Sequence, residues 1–189
     1  MSGSVAPAGD LRFRSAGASD APAIARLHAE SWRRHYRGAY SDSFLDGDVH
    51  ADRLAAWSER LRDPDPCVYT VLAEDGAGPA GFAHTIFEDD PSWGALLDNL
   101  HVVPGQKRRG IGSRLLALSA QAVVDRGTGL YLWVLEQNAD ARAFYEARGA
   151  RCVEQAPAAP PGGVPSRLNG SPVGLRYAWS DPAVAVSRA

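Results

Sequence analysis

Between Pro104 and Val124 the chain reads PGQKRRGIGSRLLALSAQAVV, setting Lys107, Arg108, Arg109 and Arg114 among glycines just ahead of an apolar-periodic run. The first turn of a helix has unpaired backbone N–H groups and the positive end of the macrodipole. Glycine lets a ligand approach that backbone without a Cβ in the way. Gly110 and Gly112 flank the predicted helix start, so the stretch is suited to cradle a phosphate. Two other phosphate loops are excluded. No G-x-x-x-x-G-K-[ST] run occurs, and Leu115 stands where a dinucleotide fingerprint needs its third glycine. From this segment alone, a solvated basic loop capping a helix is the competing reading.

The elements around this loop follow from periodicity. Residues 11–17 alternate as a half-buried strand does. A helix follows, with Ser19 or Asp20 as N-cap, Pro22 in its first turn, and Ile24, Leu27, His28, Ser31 and Trp32 along one stripe. A second helix begins near Phe44 and Leu45 and runs past Leu54, Trp57 and Leu61 until two prolines end it. Residues 67–75, 81–90 and 96–103 read as strands joined by hairpin-length turns. A helix over 110–125, with Ile111, Leu115, Leu118 and Ala122 at helical spacing, leads to the apolar strand 130–136. Next comes a short helix with Asn138 as cap and Gly149 as stop, then a strand at 151–155. A Pro/Gly loop over 156–171 precedes a last strand at 174–179. The order β α α β β β α β α β β implies a mixed α/β sheet, with the strands at 96–103 and 130–136 parallel across a crossover.

The bulk properties narrow the function class. A 189-residue chain, 45% hydrophobic and 22% charged, fits one globular domain over 11–180, with tails at 1–10 and 181–189. The net charge of −2 gives no overall pull toward nucleic acid or an anionic membrane. Cys67 and Cys152 form no C-x-x-C pair and read as small buried hydrophobes of a reducing compartment. No Cys/His cluster has metal-ligand spacing, so no metal is expected. With no signal peptide or membrane span in the sequence, a cytoplasmic setting is expected.

The run VVPGQKRRGIGSRLL, followed by a strand and EQNADARAFYEARGA, resembles the GNAT superfamily of N-acetyltransferases. That family's [QR]-x-x-G-x-[GA] motif is matched by Lys107-Arg108-Arg109-Gly110-Ile111-Gly112, with lysine in place of Gln or Arg. Its later Asn and F-Y-x-x-x-G are matched by Asn138, Phe144, Tyr145 and Gly149, and the likeness spans roughly 11–179. The resemblance implies a mostly antiparallel twisted sheet with helices on both faces and its fourth and fifth strands splayed apart. It implies acetyl-CoA as cosubstrate, with pantetheine along His101, Val102 and Val103. The pyrophosphate would lie on the main-chain amides of Arg108, Arg109, Gly110, Ile111, Gly112 and Ser113. Lys107 and Arg109 would meet outer phosphates, and Asn138 and Tyr145 would complete the site.

By the same resemblance Tyr145 is the general acid, though a core aromatic beside Phe144 is the other reading. Asp98 is the candidate base. Glu136 is its alternative, displaced from the family's usual glutamate position, which Trp133 occupies here; a mechanism with no dedicated base is a third option. By strict alternation Asp98 shares a strand face with Leu100 and Val102, and His101 takes the other, barring a bulge. The amine would enter past Trp32, His35, Tyr36 and Tyr40, which read equally as helix packing. A non-catalytic CoA-binding module remains the alternative. A nucleic-acid binder does not fit one basic loop on an acidic chain. A monomer or a homodimer is compatible with an open sheet edge that the 156–171 loop, or a partner, would cover.

Overall fold

A computed structural model describes residues 10–106 and 109–188. Its strands are β1 (Arg12–Ser15), β2 (Val68–Asp75), β3 (Gly78–Asp90), β4 (Gly94–Val102), β5 (Leu130–Leu135), β6 (Arg151–Pro157) and β7 (Val173–Trp179). They form one sheet in the order β1-β2-β3-β4-β5-β7-β6. Only β4 and β5 pair in parallel. The helices are α1 (Ala21–His35), α2 (Asp42–Asp46), α3 (Val49–Arg60), α4 (Ile111–Val124), α5 (Ala139–Glu146) and α6 (Ala183–Ser187). The mixed sheet, its parallel central pair and the helices on both faces agree with the fold expected from sequence.

Alternation assigns the two faces. Val71, Ala83, Leu97, Leu132 and Leu175 turn toward the apolar stripe of α4, burying Ile111, Leu115, Leu116 and Ala120. Leu72 and Phe82 turn the other way, against Ile24, Leu27 and Trp57 of α1 and α3. A smaller cluster joins Trp32, Tyr40, Phe44 and Leu45 to Leu135.

Several local expectations change. The second predicted helix is broken into α2 and α3 at Gly47, whose ψ of −108° is not helical. A Cβ there would lie 2.7 Å from the Ser43 carbonyl oxygen. Cys67 and Cys152 are exposed, not buried. Cys67 precedes β2, and Cys152 lies on β6, the outermost strand, which is exposed along most of its length. Part of the segment read as a C-terminal tail forms α6, with Ala185 fully buried in the core that holds α4. The 156–171 loop docks on its own chain. Ser41 N–H donates to the Arg167 carbonyl at 2.9 Å, Asn169 N–H donates to that of Ala39 at 2.8 Å, and Arg167 pairs with Asp52 at 2.6 Å.

Candidate functional site

β4 and β5 hold together only at their beginnings, where Ala95 pairs with Leu130 and Leu96 with Tyr131. Beyond that point they part, and a cleft of about 660 Å³ opens between them. Its walls are Leu97–Val102 of β4 and Leu132–Val134 of β5, and the start of α4 and the inner side of α5 close its end. A bulge shapes the β4 wall. His84 pairs with Asn99 and Thr85 with Leu97, so Asp98 is the extra residue. The bulge shifts the alternation. Leu97 before it and Leu100 and Val102 after it all pack on the α4-side core, while Asp98 and His101 contact α3 and α1. The expectation that Asp98 shares a face with Leu100 and Val102 is therefore corrected.

The inner end of the cleft is formed by the start of α4. Gly110 N-caps α4 with φ +76°, and Gly110, Ile111, Gly112 and Ser113 all line the cavity. A Cβ on Gly112 would meet only the Phe144 ring at 3.5 Å and Val102 Cγ2 at 3.6 Å, which are ordinary contacts. Nothing in the protein itself demands glycine there, and glycine costs a helix about 1 kcal/mol against alanine. A ligand lying on the backbone would account for it. Of the expected side-chain cations, Lys107 and Arg108 lie outside the described residues. Arg109 does not line the cavity: it pairs with Asp75 at 3.1 Å and donates to Gln106, which does line it. Val103 is also removed from the site: its N–H donates to Ala80 and its carbonyl accepts from Gln106.

Arg148, which sequence reasoning did not single out, lines the same end of the cleft. It follows α5, lies over the Phe144 ring at 3.8 Å and donates to the Phe144 carbonyl at 3.0 Å and to Ser113 Oγ. Among the described residues no carboxylate pairs with it, and its Nε is buried without a partner. Among the described residues, a half-buried cation without a counter-charge thus adjoins the first turn of α4. In sequence Arg148 offered only the ordinary signal of a basic residue near a helix C-terminus.

Asn138 caps α5, its side-chain oxygen accepting from Ala141 N–H at 3.3 Å, and this sets where Tyr145 enters the cleft. Tyr145 is 8% exposed, wedged edge-on between Phe144 and Trp179. Burial, helped by Tyr36, pushes its phenol well above the usual range, so it keeps its proton. Asp98 lines the cleft with one oxygen committed. Oδ2 accepts from Arg60 and from Asn99 Nδ2, each at 2.6 Å. Of the predicted entry residues, His35 and Tyr36 line the cleft. Burial and then the Asp98 charge push the Tyr36 phenol up to about 12. Trp32 and Tyr40 pack beneath Tyr36, at 5.6 and 4.9 Å between ring centroids, and are not part of the lining.

His101 of the β4 wall and, behind it, His28 and His84 are buried histidines. Trp57 Nε1 donates to His28 Nδ1 at 3.0 Å, while Ser31 Oγ lies 2.8 Å from His101 Nδ1 and Thr70 Oγ1 lies 2.7 Å from His84 Nδ1. Burial lowers all of them, His84 and His101 to about 4 and His28 well below its ordinary value of 6.5. Between pH 4 and 6.5 the unfolded chain therefore binds protons that the folded one refuses. Their contribution is fully present above about pH 6.5 and is lost as the pH falls toward 4. The Tm should decline steeply across that window, and less steeply in His84→Gln. Calorimetry at half-unit pH steps measures both, and equal slopes would contradict the assignment.

The sequence model described as the Acetyltransferase (GNAT) family matches residues 29–150, which include every residue lining the cleft. The chain belongs to that family. As a GNAT acyltransferase it is 31% identical over 143 residues to a Mycobacterium tuberculosis protein named a probable N-acetyltransferase. The alignment covers 72% of this chain and 78% of that relative. A Bacillus subtilis N-acetyltransferase of uncharacterised role is 27% identical over 141 residues, with the same coverages. The PaiA N-acetyltransferase of Thermoplasma acidophilum, solved with coenzyme A, superposes with a TM-score of 0.66. It shares 18% identity and covers 90% of this chain and 99% of its own. A Salmonella typhimurium acetyltransferase solved with acetyl-CoA gives 0.64 at 18% identity, over 90% and 94% of the two chains. At these identities the likeness to the solved structures is one of fold. Among the described residues no helix is long and apolar enough to cross a membrane.

Proposed function

We propose that this GNAT enzyme moves the acetyl group of acetyl-CoA to a primary amine by direct attack. The observation that carries the reading is a single cleft that holds free α4 amides at one end and the Tyr145 phenol further along. The exposed backbone of His101 and Val102 would accompany the pantetheine as a strand accompanies a sheet edge. The amides of Gly110 to Ser113 and the Arg148 guanidinium would hold the pyrophosphate, with Asn138 beside the cofactor chain. Lys107 keeps its place in the proposal as an outer cation, and Arg108 its place as a main-chain amide on the pyrophosphate.

Acetyl-CoA supplies an activated acyl carbon. An ammonium substrate first gives up a proton by way of Asp98. The free amine nitrogen then attacks that acyl carbon, the carbon–sulfur bond breaks, and the sulfur takes the Tyr145 proton. The nitrogen's second proton returns through water to the Tyr145 oxygen. Because Asp98 Oδ2 is committed to Arg60 and Asn99, Oδ1 is the oxygen left to receive an ammonium N–H. Asp98 in this scheme orients the amine and passes its proton to water.

Acetyl-CoA at a hundredfold over its Kd should stabilise the protein by about 2.7 kcal/mol in a thermal melt. Free thiol should then appear when a primary amine is added. A melt shift without thiol release from any amine would make the protein a coenzyme-binding module, and no shift would end the proposal. Arg148→Ala should weaken acetyl-CoA about tenfold or more, since a charged hydrogen bond contributes about 1.5–3 kcal/mol. Arg109→Ala, already paired with Asp75, should weaken it far less.

A further inference from the structure

We propose that the C-terminal helix α6 completes the coenzyme site, and that the groove between α4 and α6 binds the 3′-phosphoadenosine end of acetyl-CoA; this rests on the acetyltransfer reading above. The groove has a volume of about 580 Å³ and shares Gly110 and Ser113 with the cleft. A coenzyme whose pyrophosphate lies on the first turn of α4 therefore leaves the cleft where the groove begins. One side of the groove is Val186 of α6, beyond the residues 29–150 that the family model matches.

The rest of the fold holds α6 in place. Gly149, with φ +86°, lets the turn after α5 approach α6 so closely that a Cβ there would stand 2.6 Å from Val184 Cγ1. Ala185 is fully buried, and Ala183 N–H donates to Asp181 Oδ1 at 3.0 Å. Val186 packs against the core that holds α4 while it lines the groove. A wall already fixed in place loses little freedom when a ligand settles on it.

The lining suits both parts of that ligand. Ala117, Leu118 and Val186 offer a flat base the apolar surface common to small-ligand sites. Gln121 adds a directional group: its Nε2 donates to Asp125 Oδ1 at 2.9 Å, which leaves Oε1 to accept from the exocyclic amine of adenine. Arg114 supplies the charge. It lines the groove and not the cleft, and among the described residues no carboxylate pairs with it. A guanidinium in that state suits a phosphate, which it can meet with two parallel N–H donors.

Titration calorimetry of the full chain in low-salt buffer, with acetyl-CoA, its 3′-dephospho form and S-acetyl-4′-phosphopantetheine, tests this. The wild type should bind acetyl-CoA about tenfold more tightly than the dephospho form, the scale of one charged hydrogen bond. Arg114→Ala should remove that difference and leave the Kd of the dephospho form nearly unchanged. Val186→Asp and Gln121→Ala should weaken both adenosine-bearing ligands about threefold or more, and the phosphopantetheine thioester not at all. Gln121 is exposed, so its variant decides the point if Val186→Asp does not fold. Equal wild-type affinity for acetyl-CoA and its dephospho form would overturn the inference, as would a weakening of all three ligands alike. Loss of the difference in Lys107→Ala and not in Arg114→Ala would overturn it too, by moving the phosphate to the loop. If the phosphopantetheine thioester binds and the differences are absent, only the groove is wrong. If none of the three ligands binds, the acetyltransfer reading beneath fails as well.

Discussion

Tyr145→Phe should lower kcat about a hundredfold while leaving acetyl-CoA affinity and the melting temperature close to those of the wild type. The substitution removes one oxygen and keeps the ring that fits between Phe144 and Trp179. Its effect on packing should therefore be small, and its effect on proton delivery complete. Burial holds the phenol in its protonated form at neutral pH, so it carries a proton and is unsuited to act as a base; the same burial makes it a weaker acid than a free phenol. Thiolate departing without a donor must be expelled as the anion, so the loss should appear in kcat. The comparison to make is kcat, acetyl-CoA Kd and Tm on the same preparation. If Kd rises in proportion as kcat falls, Tyr145 serves the shape of the cleft and not its chemistry.

Much of this arrangement was legible in the sequence because it depends on local rules. The glycines and the helix start near Gly110, the Asn138 cap and the strand–helix–strand crossover are all short-range features, and each appears where expected. What stayed hidden depends on register and on distant partners. The bulge at Asp98 leaves no mark in composition, yet it decides which of Asp98, Leu100 and His101 share a face. Four neighbouring aromatic and histidine residues looked equivalent as entry residues. Tertiary packing separates them: Trp32 and Tyr40 join Phe44, Leu45 and Leu135 in a buried cluster, while His35 and Tyr36 line the cleft. Arg148 lies in the cleft lining beside Ser113, its partner 35 positions before it. Arg109 was claimed by Asp75, 34 positions before it. Charge in a sequence does not say which carboxylate will claim it.

Gly94→Ala should destabilise the protein by about 3 kcal/mol or more, because it combines left-handed backbone strain with a backbone clash. Gly94 has φ +85°, and its added Cβ would stand 2.4 Å from the Gly129 carbonyl oxygen and 2.7 Å from the Gly129 nitrogen. Neither atom belongs to a side chain that rotates away. The contact lies where Ala95 N–H donates to that same carbonyl at 2.9 Å, just before the two residue pairs that join β4 to β5. Pushing the strands apart there removes the closed end on which the open end depends. At about 2–4 °C per kcal/mol for a chain of this size, the Tm should fall by roughly 10 °C. Gly112→Ala provides the opposite signature. Its Cβ makes only ordinary contacts and alanine favours the helix, so the Tm should hold or rise while acetyl-CoA binding weakens. A glycine kept for the fold and a glycine kept for a ligand are thereby told apart by two measurements on two variants. If Gly112→Ala bound the coenzyme as tightly as the wild type, the start of α4 would lose its place as the phosphate site.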